Sequence, residues 1–86
     1  MLNNAGSEFH ISGYVVHAQP VQIEPIIAAI DEIEGAEIHG SNEQGKLVMT
    51  LETFNETDIA ERIIEINSIP GVINTALVYH QIDENS

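Results

Sequence analysis

Four histidines are the side chains of this sequence best suited to bind a metal or to move protons: His10, His17, His39 and His80. A zinc site needs three or four ligands, and the sequence has no cysteine that would supply a thiolate. His10 and His80 stand in two segments that we expect to form neighbouring strands, so their rings should approach each other on the exposed side of a sheet. Two imidazoles without a third ligand make a weak zinc site, and we predict exposed strand-end histidines rather than a metal centre.

Hydroxyl and carboxyl side chains are present but lack a catalytic arrangement. Ser12, Thr50 and Thr53 fit no nucleophile signature, and there is no glycine-rich loop of the kind that binds phosphates. The acidic residues are scattered along the sequence instead of being paired at one place. We therefore predict a protein that is not an enzyme and that carries no cofactor.

The elements that position these side chains come from an internal repeat with an offset of 36 positions, as Gly35 and Gly71 illustrate (71 − 35 = 36). In each half, isoleucines at helical spacing precede the glycine and a β-branched run follows it. Further pairs at this offset are Ile23 and Ile59, Ile30 and Ile66, Ile33 and Ile69, Ile11 and Leu47, Gly13 and Met49, and Val15 and Leu51. Two strand-helix-strand units predict an α+β, ferredoxin-like βαββαβ sandwich, with two helices on one face of a four-stranded antiparallel sheet.

The predicted elements fill most of the chain. Pro25 is compatible with a helix only in its first turn, and Asn55 is a suitable N-cap for the second helix. We expect a disordered N-terminal tail at 1–8, one ferredoxin-like domain at 9–81 and a polar C-terminal tail at 82–86. The strands are predicted at 9–18, 36–39, 46–53 and 72–80, and the helices at 21–33 and 56–67.

The two-residue period of a strand predicts which side chains face the helices. Leu47, Met49 and Leu51 alternate with more polar residues and should point inward, and the repeat extends this prediction to Ile11, Gly13 and Val15. In the last strand the inward residues would be Ile73, Leu77 and Tyr79. The uncovered face is then predicted to carry Ser12, Tyr14, Val16, Val48, Thr50, Glu52, Ala76 and Val78.

That uncovered face is less polar than a face in contact with water should be. Valine and tyrosine favour strands wherever they point, so β-propensity alone is one explanation. Association of two copies is a second explanation. A platform for an amphipathic partner is the third, because a contiguous apolar surface rimmed with charge marks an interaction site.

The charge balance of the 86-residue chain is strongly acidic, with a formal net charge of −12. Such a chain repels a phosphate backbone or an anionic membrane, which excludes nucleic acid as a partner. The acids confer solubility or attract a cationic partner. No apolar run approaches transmembrane length and no signal peptide is recognisable, so we expect a cytoplasmic protein without membrane insertion, a monomer or weak homodimer.

Four segments carry a family likeness: 11–20 (ISGYVVHAQP), 34–40 (EGAEIHG), 45–52 (GKLVMTLE) and 69–81 (IPGVINTALVYHQ). Together they resemble the NapD family, small cytoplasmic maturation chaperones of the periplasmic nitrate reductase, over residues 9–81. The most specific block is 76–81, because a generic ferredoxin-like domain has no reason to keep Tyr79, His80 and Gln81 in a row.

This resemblance implies that the protein binds the twin-arginine signal peptide of the nitrate reductase catalytic subunit precursor. It would delay export of the precursor until the molybdenum cofactor and the iron-sulfur cluster are inserted. The uncovered face would bind the peptide, with Glu52 as a candidate contact for the arginines. The alternatives are a small-molecule-sensing regulatory domain on the same fold and a purely structural subunit.

Overall fold

A four-stranded antiparallel sheet with two helices on one side forms the fold, in a computed structural model that describes residues 8–84. The strands lie in the order β2-β3-β1-β4. This arrangement confirms the predicted ferredoxin-like sandwich. The elements are β1 Glu8–Ala18, a 3-10 turn Pro20–Gln22, α1 Ile23–Asp31, β2 Ala36–Ser41, β3 Lys46–Thr53, α2 Glu56–Asn67 and β4 Val72–Glu84.

The second helix has the bounds that the sequence predicts. The backbone N–H of Asp58 donates to Asn55 Oδ1 at 2.8 Å, which satisfies one of the amides that a helix N-terminus leaves without a partner. The first helix begins two residues later than predicted, because Pro20–Gln22 forms a 3-10 turn ahead of it, and it ends at Asp31, before its predicted end at residue 33. Pro25 lies in the first turn of α1, where the missing N–H removes no hydrogen bond.

The first and last strands are longer than predicted because they pair with each other along their whole length. Glu8 of β1 is opposite Glu84 of β4, so β4 continues past its predicted end at residue 80. Residues 82–84, which we expected in a polar tail, belong to this strand. The disordered N-terminal tail was predicted at 1–8, but Glu8 belongs to β1, and residues 1–7 lie outside the described part of the chain.

A single apolar layer between the sheet and the helices forms the core. Leu47, Met49 and Leu51 of β3 are fully buried in this layer, as predicted. Partly buried residues such as Ile59 and Ile63 pack around it. The buried members are Tyr14, Val16, Ala18, Ile26, Ile30, Ile33, Leu47, Met49, Leu51 and Ile66.

The predicted orientation of β1 is wrong, and Ser12, Tyr14 and Val16 face the helices instead of the uncovered side. Each lies opposite a core residue of β3, since Ser12 pairs with Leu51, Tyr14 with Met49 and Val16 with Leu47. All three are buried. Cross-strand partners share one face of a sheet, so the row that includes Ile11 and Val15 must point to the other side.

A one-residue slip between the two halves explains this reversal. The helix-facing strand row ends at Ala18 in the first half, five positions before Ile23, and at Thr53 in the second half, six positions before Ile59. The offset of 36 therefore holds for the helices and fails by one in the strands. Because side chains alternate along a strand, a slip of one residue moves every side chain to the opposite face.

Candidate functional site

The uncovered side of the sheet is the candidate site, and we call it the open face. Both helices pack on the opposite side, against the buried row that includes Tyr14 and Leu47. The pairing of the strands assigns the open face to alternate residues of each strand. Among residues 9–82 its members are Phe9, Ile11, Gly13, Val15 and His17 of β1, Lys46, Val48, Thr50 and Glu52 of β3, Glu37 and His39 of β2, and Asn74, Ala76, Tyr79 and Gln81 of β4.

An apolar row runs along the middle of the open face on β1, and it consists of Phe9, Ile11 and Val15. Val48 lies opposite Val15 on β3 and is 50% exposed. At one end of the row the ring of Phe9 lies 5.6 Å from that of Phe54, centroid to centroid, within the range of favourable aromatic pairs. The open face therefore presents contiguous apolar surface to solvent.

Tyr79 fills the gap that Gly13 leaves in this row. The two residues are cross-strand partners, and a Cβ at position 13 would collide with the tyrosine ring. The ring thus lies flat across the glycine backbone and stays 43% exposed. The prediction that Tyr79 points toward the helices is wrong, because the register shifts between Gly13 and Tyr14 and leaves Val78 without a partner on β1.

Charged groups are distributed unevenly around the apolar row. Glu52 lies opposite Ile11, and Glu37 lies opposite Thr50, so both carboxylates are on the β2 and β3 side of the face. Glu37 and Glu52 are thus diagonal neighbours on adjacent strands, and residues in such positions have Cα atoms about 7–8 Å apart. Lys46 lies opposite His17 at the other end of the face. The open face is therefore negative on the β2 and β3 flank and uncharged on β4 from Asn74 to Gln81.

A hydrogen bond fixes the polar group between the two acids. His39 Nε2 and Thr50 Oγ1 are 2.6 Å apart on the exposed surface. His39 is the residue that the register passes over between Ile38 and Gly40, which turns its ring toward β3. The Thr50 hydroxyl thus has a partner within the protein, and the carboxylates beside it are the groups that remain for a cationic ligand.

The histidine pair His10 and His80 does form, but on the helix side of the sheet rather than on the open face. The prediction that these histidines are exposed is wrong for His10, which is buried. His10 Nδ1 and His80 Nε2 are 2.9 Å apart, and the two rings stack at 22° with centroids 5.2 Å apart. One ring must donate and the other accept, so at least one of them is neutral. No cluster of three or more metal-binding side chains occurs in residues 8–84.

The predicted site residues thus fall into two groups. Val48, Thr50, Glu52 and Ala76 lie on the open face, and Val78 is exposed at the register shift. Ser12, Tyr14 and Val16 do not, and the Ser12 hydroxyl instead donates to the Leu51 carbonyl at 3.4 Å. Sequence reasoning missed Phe9, Ile11, Val15, Glu37 and Tyr79. The sequence signal that could have led to Tyr79 is Gly13, because a glycine inside a strand often marks a place where another group approaches the backbone closely.

The two helices do not resemble membrane spans. Within the described residues neither α1 nor α2 is both long enough and apolar enough to cross a bilayer.

Comparison with known proteins identifies the family. The model of the NapD family, described as NapD protein, matches residues 9–84. The chaperone NapD of Haemophilus influenzae is 33% identical over 87 residues, which cover 100% of this chain and 92% of the relative. The chaperone NapD of Escherichia coli K12 is 25% identical, and the alignment covers 91% of each chain.

Solved structures agree with this assignment. The solution structure of the E. coli Tat proofreading chaperone protein NapD superposes with a TM-score of 0.78 at 25% identity, over 91% of this chain and 83% of that chain. A putative antibiotic biosynthesis monooxygenase from Chloroflexus aurantiacus matches at a TM-score of 0.55 and 14% identity, which shows a shared fold alone. The curated relatives are chaperones rather than enzymes. This chain belongs to the NapD family.

Proposed function

We propose that this chain is a cytoplasmic chaperone that binds the twin-arginine signal peptide of the periplasmic nitrate reductase catalytic subunit precursor. Binding would delay export until the cofactors of the enzyme are in place. The family and the name Tat proofreading chaperone, given to the E. coli relative, support this function. The observation that carries it is the apolar row on the open face, flanked by acids on one side.

The chemistry of the open face suits a peptide of this kind. A twin-arginine peptide has a cationic start and an apolar stretch, and it can form an amphipathic helix. Such a helix binds by inserting its apolar face between apolar anchors. Val48, Tyr79 and the β1 row that includes Ile11 supply those anchors.

The uneven charge gives the bound peptide a preferred orientation. Its arginines would lie over the β2 and β3 flank, where Glu37 and Glu52 supply two carboxylates. Arginine forms strong, often bidentate, hydrogen bonds with carboxylates. Lys46 at the far end of the face would repel the same cationic segment. The apolar stretch would then cross β1 toward residues 74–81 of β4, which carry no charge.

The apolar contacts would provide most of the affinity. Burial of apolar surface contributes roughly 25 cal/mol per Å², and ordering a flexible peptide costs on the order of 2 to 5 kcal/mol. Nanomolar to micromolar affinity is therefore within reach of such a contact.

Isothermal titration calorimetry with the twin-arginine peptide of the cognate precursor tests the proposal. Wild-type protein should bind with a negative heat-capacity change. Val48→Asp places an unpaired charge in the apolar contact and should weaken binding about tenfold or more. Val21→Asp is the matched control, because Val21 is 86% exposed and lies outside the open face, in the turn before α1.

Two results would contradict the proposal. Absence of detectable binding to the cognate peptide at low salt would contradict the proposed function. Equal losses for Val48→Asp and Val21→Asp would place the peptide somewhere other than the open face. Circular dichroism of both variants, with α-helix and β-sheet signals unchanged, excludes unfolding as the cause.

A further inference from the structure

The outer edge of β4 is a second surface that the proposed peptide binding does not use. β4 is the last strand of the sheet, and within residues 8–84 it pairs with β1 alone. It is also the longest strand, at 13 residues. The backbone N–H and C=O groups on its outer side are therefore available to another strand.

Between residues 72 and 82 this edge lacks the side chains by which edge strands avoid pairing with other chains, and the two acids of β4, Asp83 and Glu84, stand at the end of the strand. Proteins commonly place lysine, other charges or proline on an exposed edge. Residues 72–82 contain no charged residue and no proline, in a chain with 16 charged side chains (14 acidic and 2 basic). The edge is also apolar, since the exposed large apolar side chains of β4 are Ile73, Leu77, Val78, Tyr79 and Ile82.

We propose that two copies of this chain associate by antiparallel pairing of their β4 strands. A two-fold axis places the same strip of each copy opposite itself. A cationic partner finds no opposite charge in residues 72–82, whereas a second copy that pairs along these residues meets only uncharged side chains. On a molecule with a net charge of −12, the β4 edge is thus a place where two copies approach without bringing acids into contact.

The pairing does not compete with the open face. Strands added at an edge extend the sheet in its own plane, so both faces keep their exposure. Two four-stranded sheets would form one eight-stranded sheet, and the two-fold axis perpendicular to it would leave both open faces on the same side. Self-association and peptide binding can therefore be tested independently of each other.

Salt should affect self-association and peptide binding in opposite directions. Two copies of a strongly acidic chain repel each other, and salt screens that repulsion over about 8 Å at ~0.15 M. Raising the salt concentration should therefore strengthen the dimer. Binding of a cationic peptide to the same protein should weaken under the same change.

Sedimentation equilibrium over a wide range of protein concentration tests the proposal. The wild-type mass should rise from 9.4 kDa toward twice that value, and more readily at high salt. Val78→Lys places two like charges near each other across the two-fold axis and should raise the dimer dissociation constant about tenfold or more. Val78 is 63% exposed and has no β1 partner, so the variant should fold. Ile82→Lys is a second edge variant, and Val21→Lys is the matched control.

Three results would overturn the proposal. The wild type could stay at the monomer mass at every concentration and salt level. The control Val21→Lys could weaken the dimer as much as the edge variants do. A wild type that stays monomeric while Val78→Lys weakens capture of the twin-arginine peptide would assign the edge to the client instead. Loss of the dimer in Val78→Lys with peptide binding unchanged would support the proposal and leave the proposed function intact.

Discussion

At the scale of single residues, the two tyrosines of this chain show how the sheet separates stability from binding. Tyr14 is 6% exposed and packs in the core, whereas Tyr79 is 43% exposed and lies across Gly13 on the open face. Both belong to neighbouring strands and differ mainly in the side of the sheet on which they lie. The same substitution at the two positions should therefore have different consequences.

Tyr14→Ala should lower the free energy of unfolding by about 3 to 5 kcal/mol, the usual cost of removing a buried aromatic ring. Tyr79→Ala should cost clearly less and should instead weaken binding of the twin-arginine peptide. Urea denaturation followed by circular dichroism measures the first effect, and calorimetry measures the second. A larger loss of stability for Tyr79→Ala than for Tyr14→Ala would mean that the two faces are reversed.

At the scale of elements, the cap of α2 is a local feature with a measurable contribution. The Asn55 side chain accepts from the Asp58 amide, and Glu56 and Asp58 in the first turn complement the helix dipole. Asn55→Ala should lower the free energy of unfolding by about 1 kcal/mol. Asn55→Asp keeps an acceptor at the cap and is the control. Equal losses of stability in the two variants by urea denaturation would argue against the cap.

The elements also show what local sequence predicts well. Both ends of α2 follow from an N-cap residue at Asn55 and a proline-glycine pair after the helix, so its bounds were predictable. The orientation of β1 was not, because apolar residues occur in both of its alternating rows. Tyr14 and Val16 compete with Ile11 and Val15 for the core. Which row faces the core depends on how many residues connect the end of β1 to the start of α1, and these two ends are defined only in the packed fold.

The existence of an uncovered sheet face was therefore predicted from the sequence, but several of the residues that form it were not. An uncovered, partly apolar sheet face follows from the repeat, since two helices cover only one side. Val48, Thr50 and Glu52 were placed correctly because β3 alternates clearly between apolar and polar residues. The register shift that turns Tyr79 onto the open face has no equivalent signal in the sequence of β4 alone.

At the scale of the whole molecule, the net charge of −12 should act mainly on the rate at which a cationic peptide arrives. Long-range attraction raises association rates, and salt screens it. Raising salt from low to physiological concentration should slow association far more than it speeds dissociation. Stopped-flow fluorescence with a labelled peptide measures both rates. An association rate that does not depend on salt would mean that the acids serve solubility alone.

The most direct test of the central claim is a map of the peptide on the protein by nuclear magnetic resonance. A twin-arginine peptide is titrated into 15N-labelled protein, and the amide shifts of all residues are followed. The largest shifts should fall on the open face, at Ile11, Val15, Val48 and Tyr79. Shifts should be small at Val21, in the turn before α1, and at the exposed Ile64 of α2. Shifts concentrated on α1 and α2, with the open face unchanged, would contradict the account.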